Sequence, residues 1–202
     1  MSTNFSIICR YHHGKGGCRL LLHIPVRVIA GNRLPAQAGI TEPVIYYHFT
    51  GKDELFTGII ASAFETFFAH LDDLPENTHT QFEKIENLIA LHFDIVKEMP
   101  DQIYLAISAC PARLKDPDDI CRKSIEEVRR RLNTYLTACL EAGMATGEFH
   151  TVPVHATVNL IGAMFNGLIR HRGLNFEEVD GIKQTAVDFC RRSLVNTAFG
   201  HG

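Results

Sequence analysis

The sequence lacks several features that would assign it to a class at once. It has no apolar run long enough to span a bilayer, and no small-residue cleavage site clearly follows the short apolar stretch 20–24. We therefore expect a cytoplasmic protein without a membrane segment. Its scattered His and Cys residues form no visible nucleophile–base–acid set, which argues against an enzyme.

The six cysteines include no CxxC pair and are spread over 202 residues. That distribution predicts reduced, mostly structural thiols rather than a disulfide framework. His12 and His13, taken with Cys9 and Cys18, do not match the spacing of common structural zinc sites. The glycines at 14–17 lack the Walker spacing of a phosphate loop. We expect neither a metal nor a cofactor; a small metalloprotein using this segment is a third alternative that a metal assay would exclude.

The net charge is only −3, yet the charges are unevenly distributed. Residues 1–60 hold six Lys/Arg against three acidic residues, which leaves 14 against 20 for the remainder. A basic end on an acidic body is typical of nucleic-acid binding confined to that end, although chance composition explains so few charges equally well.

From residue 51 onward the apolar residues repeat at helical steps of three and four. This period predicts an all-α fold, without a convincing strand pair or an internal repeat. In the last helix we expect Phe189, Cys190 and Leu194 to face inward. We expect Pro111 to kink or divide the third helix. The predicted helices are about 52–74, one ending at 99–100, 102–115, one from 117 to about 143, 153–172 and 177–196.

One short stretch, residues 36–56, carries most of the functional information. Gly39 suits a tight turn, Thr41 can cap the next helix, and Pro43 lies in the first turn of that helix, where its missing N–H costs nothing. Ile45 and Phe49 are four residues apart and can both enter a small core. A short capped helix that displays Tyr46, Tyr47 and His48 suits a major groove, and Lys52 at the next helix start can hold a phosphate.

This stretch resembles the helix-turn-helix of TetR-family repressors. The resemblance is carried by Ala38-Gly39-Ile40, by Ile45-Tyr46-Tyr47-His48-Phe49 and by Lys52-Asp53-Glu54-Leu55-Phe56. It implies a DNA-binding head at 1–52 and a helical ligand-binding and dimerisation domain at 53–202. It also assigns roles around the capping Thr41: Glu42, Pro43 and Tyr46 would face bases, and Val44, Tyr47, His48 and Lys52 would lie at or near the DNA backbone.

The segment before residue 34 departs from the family pattern. The family places an amphipathic helix there, whereas residues 1–33 keep no clean period and are interrupted by glycine and proline. Pro35 stands where the family normally has alanine, and a proline inside a helix costs about 3 kcal/mol or more. Our hypothesis is that residues 1–33 are divergent, or an altered reading frame, and that they impair DNA binding.

Polar or soft side chains on otherwise apolar helices are candidates for an effector pocket, although each taken singly is more typical of a packed or surface residue. The candidates are His92, Tyr104, Cys110, Arg113, Met164, Asn166, Arg170 and His171.

The resemblance implies a ligand-responsive transcriptional regulator, a repressor, that binds palindromic double-stranded operator DNA. We expect a homodimer formed through 154–172 and 177–196, and a small-molecule effector whose identity the sequence does not give. The alternative is a helical dimeric ligand-binding protein in which the N-terminal segment impairs DNA binding.

Overall fold

The structure is a computed structural model that describes residues 7–11, 20–24, 52–173 and 181–197. Its first two elements are short strands, β1 (Ile7–Tyr11) and β2 (Leu20–Ile24). They pair antiparallel, with Ile7 opposite Ile24 and Tyr11 opposite Leu20. The expectation of no strand pair was therefore wrong. Each strand is only five residues long, which is short for a helix, and β1 opens on the β-branched residues Ile7 and Ile8, which favour a strand.

Every described element from Lys52 onward is a helix, which confirms the all-α class. The third helix begins with a proline at its first turn and contains Pro111 without being divided by it. The last helix begins at Ile182, later than expected, after Gly181 with a φ of +74°. The helices are α1 (Lys52–Asp72), α2 (Gln81–Glu98), α3 (Pro100–Arg113), α4 (Ile120–Ala145), α5 (Val154–Gly173) and α6 (Ile182–Leu194).

These elements form two compact units that alternate along the chain. The first unit combines residues 1–66 with 99–124, and the second combines 67–98 with 125–202. Helices α1 and α4 therefore contribute residues to both units. The boundary at residue 52 between a head and a ligand-binding domain stays a prediction.

Within the second unit, α2 is the central element and packs against both α5 and α6. Half of its 18 residues are buried, among them Phe82, Ile85, Leu88 and Ile89. Fully burying an aliphatic or aromatic side chain of this size contributes about 1.5–3 kcal/mol. The apolar periodicity of 81–98 thus reflects contact with several neighbouring helices.

In the second unit, α5 and α6 each leave an apolar side chain in solvent. Leu160 is 64% exposed and Phe189 is 52% exposed. The expectation that Phe189 faces inward was therefore wrong, although Cys190 and Leu194 are buried as expected. A helical period identifies an apolar stripe, but a stripe wider than one packing face leaves some of its members uncovered in a single chain.

The cysteines of the described helices behave in two ways. Cys139 and Cys190 are free and buried, as expected of structural thiols. Cys110 and Cys121 form a disulfide, which corrects the expectation that the thiols are reduced. The pair is separated by only 11 residues, and the turn between α3 and α4 brings the two together. A search for CxxC spacing does not detect a pair formed by such a turn.

No helix in the described part of the chain is long and apolar enough to cross a membrane. Across those same ranges, no three His, Cys, Asp or Glu side chains gather in a group that would hold a metal ion.

Candidate functional site

The residues predicted to contact DNA, from Thr41 to His48, lie outside the described residues. Lys52, the last of the set, is the first residue of α1. The long helix therefore begins where the motif places it. The DNA-contacting roles of these residues remain predictions.

The first turn of α1 is held by an arginine from the end of α3. Nη2 of Arg113 donates to Oδ1 of Asp53 at 2.6 Å, and Nη1 donates to Oδ2 of Asp119 at 3.2 Å. The guanidinium also lies 4.2 Å from the ring centre of Phe56. The hydrogen bond to Asp53 is the main cause that raises the pKa of Arg113, so the group stays charged.

This arrangement concerns position more than stability. The Asp53 side chain is 89% exposed, and ion pairs in water contribute about 0–1 kcal/mol. The sequence nominated Arg113 as an effector ligand, and its guanidinium is occupied by Asp53, Asp119 and Phe56. A planar fork that bonds two carboxylates fixes the distance between the turns that carry them.

Two further effector candidates lie on α3. Tyr104 is 39% exposed on the surface of the helix. Cys110 is completely buried, and its sulfur is bonded to that of Cys121. In this state Cys110 presents no thiol to a ligand.

His92 is the one effector candidate buried in the second unit. It is 3% exposed, stacked on Phe165 with ring centres 4.1 Å apart, and edge-on to Phe67 at 5.7 Å. Burial lowers its pKa from 6.5 to about 4, so the ring is neutral at pH 7.

The hydrogen bond of His92 fixes its tautomer. Nδ1 lies 2.7 Å from the carbonyl oxygen of Leu88. A carbonyl can only accept, so Nδ1 carries the proton and Nε2 is left as an acceptor. No hydrogen bond to Nε2 is found among the residues that the structure describes. Nε2 of His92 is therefore a buried acceptor that lies among the rings of Phe67 and Phe165.

The remaining candidates lie on α5 beside Phe165 or at its surface. Met164 and His171 are half-buried, whereas Asn166 and Arg170 are exposed. Nδ2 of Asn166 donates to the carbonyl of Gly162 at 3.0 Å, within its own helix. Of the α5 candidates, Met164 and His171 are therefore better placed for a buried ligand than the two exposed residues.

An open groove of about 470 Å³ lies in the second unit, between α2 and α6. Its walls combine charged residues, Glu83, Glu86 and Lys183, with the apolar Ala90 and Val187. None of the eight effector candidates lines this groove.

Sequence reasoning missed Glu148, the key polar residue of the second unit. It is 4% exposed, and its two carboxylate oxygens accept the backbone N–H groups of Gln81 at 2.8 Å and Phe82 at 2.7 Å. These are the first amides of α2, which have no partner within the helix. The signal available in the sequence was the turn Gly147-Glu148-Phe149, where Gly147 has a φ of +76° that favours glycine.

Comparisons with known proteins agree with this architecture. Residues 78–170 match the family model described as "Tetracyclin repressor-like, C-terminal domain". The chain is 25% identical over 139 residues to the nucleoid occlusion factor SlmA of Marinomonas sp. (strain MWYL1), a match that covers 68% of this chain and 69% of that protein.

Two solved structures show the same fold. One is the TetR-family transcriptional regulator PfmR from Thermus thermophilus, with a TM-score of 0.63, 22% identity and coverage of 78% of this chain and 85% of that one. The other is the transcriptional regulator FadR from Bacillus subtilis in complex with stearoyl-CoA, with a TM-score of 0.54, 17% identity and coverage of 76% and 82%. The similar structures are regulators rather than enzymes. These comparisons agree with the resemblance in the sequence: residues 78–170 match the tetracyclin repressor-like C-terminal domain, and the chain has the fold of TetR-family regulators.

Proposed function

We propose that the protein is a ligand-responsive transcriptional repressor that binds palindromic operator DNA as a homodimer in the cytoplasm. The observation that carries this proposal is the motif at 36–56, which ends at the start of α1 in a chain with the TetR-family fold. A family fold alone does not establish an activity, and the motif supplies the groove-binding chemistry.

The dimer is supported by the surfaces of α5 and α6. Leu160 and Phe189 are the two most exposed large apolar side chains of the described residues. They lie on the two helices that the sequence nominated for dimerisation. Pairing of two copies through these helices would bury both side chains as a four-helix interface. A two-fold dimer would then present its recognition helices about 34–36 Å apart, one DNA turn.

The effector is proposed to enter the bundle beside His92. The ring provides one buried acceptor next to Phe67 and Phe165, so the ligand is expected to be largely apolar with a single donor group. A ligand that favours one arrangement of the helices would shift the population between a DNA-competent and an incompetent form. Helix α1 would transmit this change to the predicted DNA-binding head, because it runs from that head into the second unit.

The decisive experiment selects bound DNA from a random pool with the purified protein. A palindromic consensus supports the regulator. On that DNA, Tyr46→Ala is expected to lower affinity about 5- to 150-fold, since a good base contact contributes roughly 1–3 kcal/mol. Tyr104→Ala, the same change at an exposed tyrosine of α3, is the matched control and should leave affinity unchanged. Equal affinity of Tyr46→Ala and wild type on the selected palindrome would contradict the site.

A second candidate function has an observation in its favour. The family resemblance implies a helix in the N-terminal segment, and the structure instead has the antiparallel strands β1 and β2 at 7–11 and 20–24. We propose as the alternative a dimeric ligand-binding protein with impaired DNA binding. An empty DNA selection from a protein that is dimeric by sedimentation favours this alternative. A chimera with a regular first helix in place of residues 1–33 should then regain DNA binding.

A further inference from the structure

We propose that Cys110 and Cys121 form a redox-active pair that exchanges with low-molecular-weight thiols and disulfides and thereby sets the operator affinity. The inference rests on the proposed function for its DNA readout. The disulfide joins the last turn of α3 to the first turn of α4 and closes the connection between them. It is a modification site that the helix-turn-helix mechanism does not require.

The disulfide shares its turn with the ion pairs of Arg113. That arginine follows Cys110 by three residues, and Asp119 precedes Cys121 by two. Oδ1 of Asp119 accepts the backbone N–H of Cys121 at 2.8 Å, and Oδ2 accepts Arg113 at 3.2 Å. The covalent bond and the ion pair therefore hold the same turn from two sides. A change in the position of Cys110 relative to Cys121 will therefore shift Arg113.

Arg113 connects this turn to the start of α1 within the first unit. Nη2 of Arg113 donates to Oδ1 of Asp53 at 2.6 Å, and the guanidinium lies over the buried ring of Phe56. Asp53 lies five residues after His48, the end of the predicted recognition residues. The disulfide is thus linked through two side chains to the helix turn that directly follows the predicted DNA-binding segment. We infer that the disulfide form fixes this turn and binds operator more tightly.

The expected location of the protein argues that the bond is regulatory. Cytoplasmic disulfides are rare because thiol buffers reduce them, and those that occur are usually catalytic or redox-sensing. A regulator that works on DNA in that compartment meets the same buffers. The pair therefore reports the balance of thiol and disulfide around the protein.

Access to the buried sulfurs is provided at the end of α3. Both cysteines are 0% exposed, so exchange needs local opening. Pro111 follows Cys110 inside the helix and has no N–H to bond the carbonyl four residues earlier. Pro111 and Ala112 are both exposed. This weakened last turn is the segment whose opening uncovers Cys110.

The exchange balances with a low-molecular-weight thiol as the reductant. Its thiolate attacks one sulfur of the Cys110–Cys121 bond, which breaks to give a mixed disulfide and one protein thiolate. A second thiol attacks the sulfur of the small molecule and releases the other cysteine. The protein bond gains two electrons and two protons, and two small thiols leave as one disulfide. The reverse steps, driven by a small-molecule disulfide, restore the bond.

Cys139 and Cys190 provide the internal comparison. Burial raises the pKa of each thiol to about 11, which leaves almost no thiolate at neutral pH. Both lie in the second unit, apart from the Arg113 turn. Cys139→Ser is therefore a matched control that removes a buried sulfur without touching the proposed pair.

The test equilibrates the full-length protein in buffers of reduced and oxidised glutathione. Alkylation with peptide-resolved mass spectrometry measures the pair, and fluorescence anisotropy measures affinity for the selected operator. We expect Cys110 and Cys121 to become alkylated together as the buffer is reduced, and operator affinity to fall about tenfold. Cys139→Ser should keep this response. Arg113→Gln should keep the exchange and lose the tenfold response, which identifies Arg113 as the positioning residue.

Three results would overturn the proposal. If Cys110 and Cys121 are never alkylated, or are always reduced, across the whole glutathione range, they are not an exchange site. Normal exchange with unchanged operator affinity would remove the link to DNA binding. Hydrogen exchange of the amides at 53–56 separates this inference from the proposed function. Faster hydrogen exchange of these amides on reduction supports the coupling even if the protein binds no DNA. An unchanged rate of hydrogen exchange in that case overturns the coupling.

Discussion

Replacing Glu148 by alanine is expected to destabilise the second unit by about 3 kcal/mol. Its carboxylate accepts two backbone amides from the first turn of α2, and the side chain is 4% exposed. Hydrogen bonds to a charged group contribute about 1.5–3 kcal/mol each, and the helix dipole adds a favourable term for a negative charge there. Water that enters the vacated space recovers part of the loss.

The remaining cap of α2 is local and cannot replace Glu148. Oγ1 of Thr80 accepts the N–H of Glu83 at 3.1 Å, and the Glu83 carboxylate accepts the N–H of His79 at 2.7 Å. These two local bonds leave the amides of Gln81 and Phe82 to Glu148 alone among their described partners. Glu148→Gln keeps the shape and one acceptor oxygen, so we expect it to lose less, about 2 kcal/mol.

The assay is urea unfolding monitored by circular dichroism, together with calorimetry for the Tm. Both use one fixed protein concentration, because dimerisation adds to stability. A loss of 3 kcal/mol corresponds to a Tm lower by about 6–12 °C for a chain of this size. Glu141→Ala, at an exposed glutamate on α4, is the matched control and should change stability by no more than about 0.5 kcal/mol. Equal stability of the Glu148 and Glu141 variants would refute the reasoning.

Three further predictions test other parts of the structure. Burial lowers the pKa of His92 from 6.5 to about 4, so the ring binds protons more strongly in the unfolded chain than in the folded one. The free energy of unfolding should therefore fall by about 3 kcal/mol as the pH is lowered from above 6.5 to 4. His92→Phe should reduce this pH dependence in urea unfolding. A Cβ on Gly143 would lie 2.7 Å from Cγ of Phe149, so Gly143→Ala should cost about 1–3 kcal/mol in the same assay. Leu160→Glu or Phe189→Glu should convert the proposed dimer to a monomer in analytical ultracentrifugation without unfolding it, and an unchanged dimer would exclude that interface.

Part of the candidate site could be predicted from the sequence, because the signals are local. The start of α1 near Lys52 follows from the apolar period, which acts within one or two turns. His92 was nominated as a polar residue in an apolar stripe, and it is buried among aromatic rings. The contacts of Thr41 to His48 with DNA remain predictions, since these residues lie outside the described part of the chain.

The sequence by itself determined which segments are helical, because helical periodicity and Pro and Gly breaks act between residues close in the chain. It also carried the resemblance to TetR-family repressors, through the motif at 36–56. Only the tertiary structure decided which side chains and backbone groups contact one another. It brought Glu148 to the amides of Gln81 and Phe82, 67 and 66 residues away, and it left Phe189 uncovered. A periodic pattern states which face of a helix is apolar, whereas which group meets that face depends on long-range packing that no local window contains.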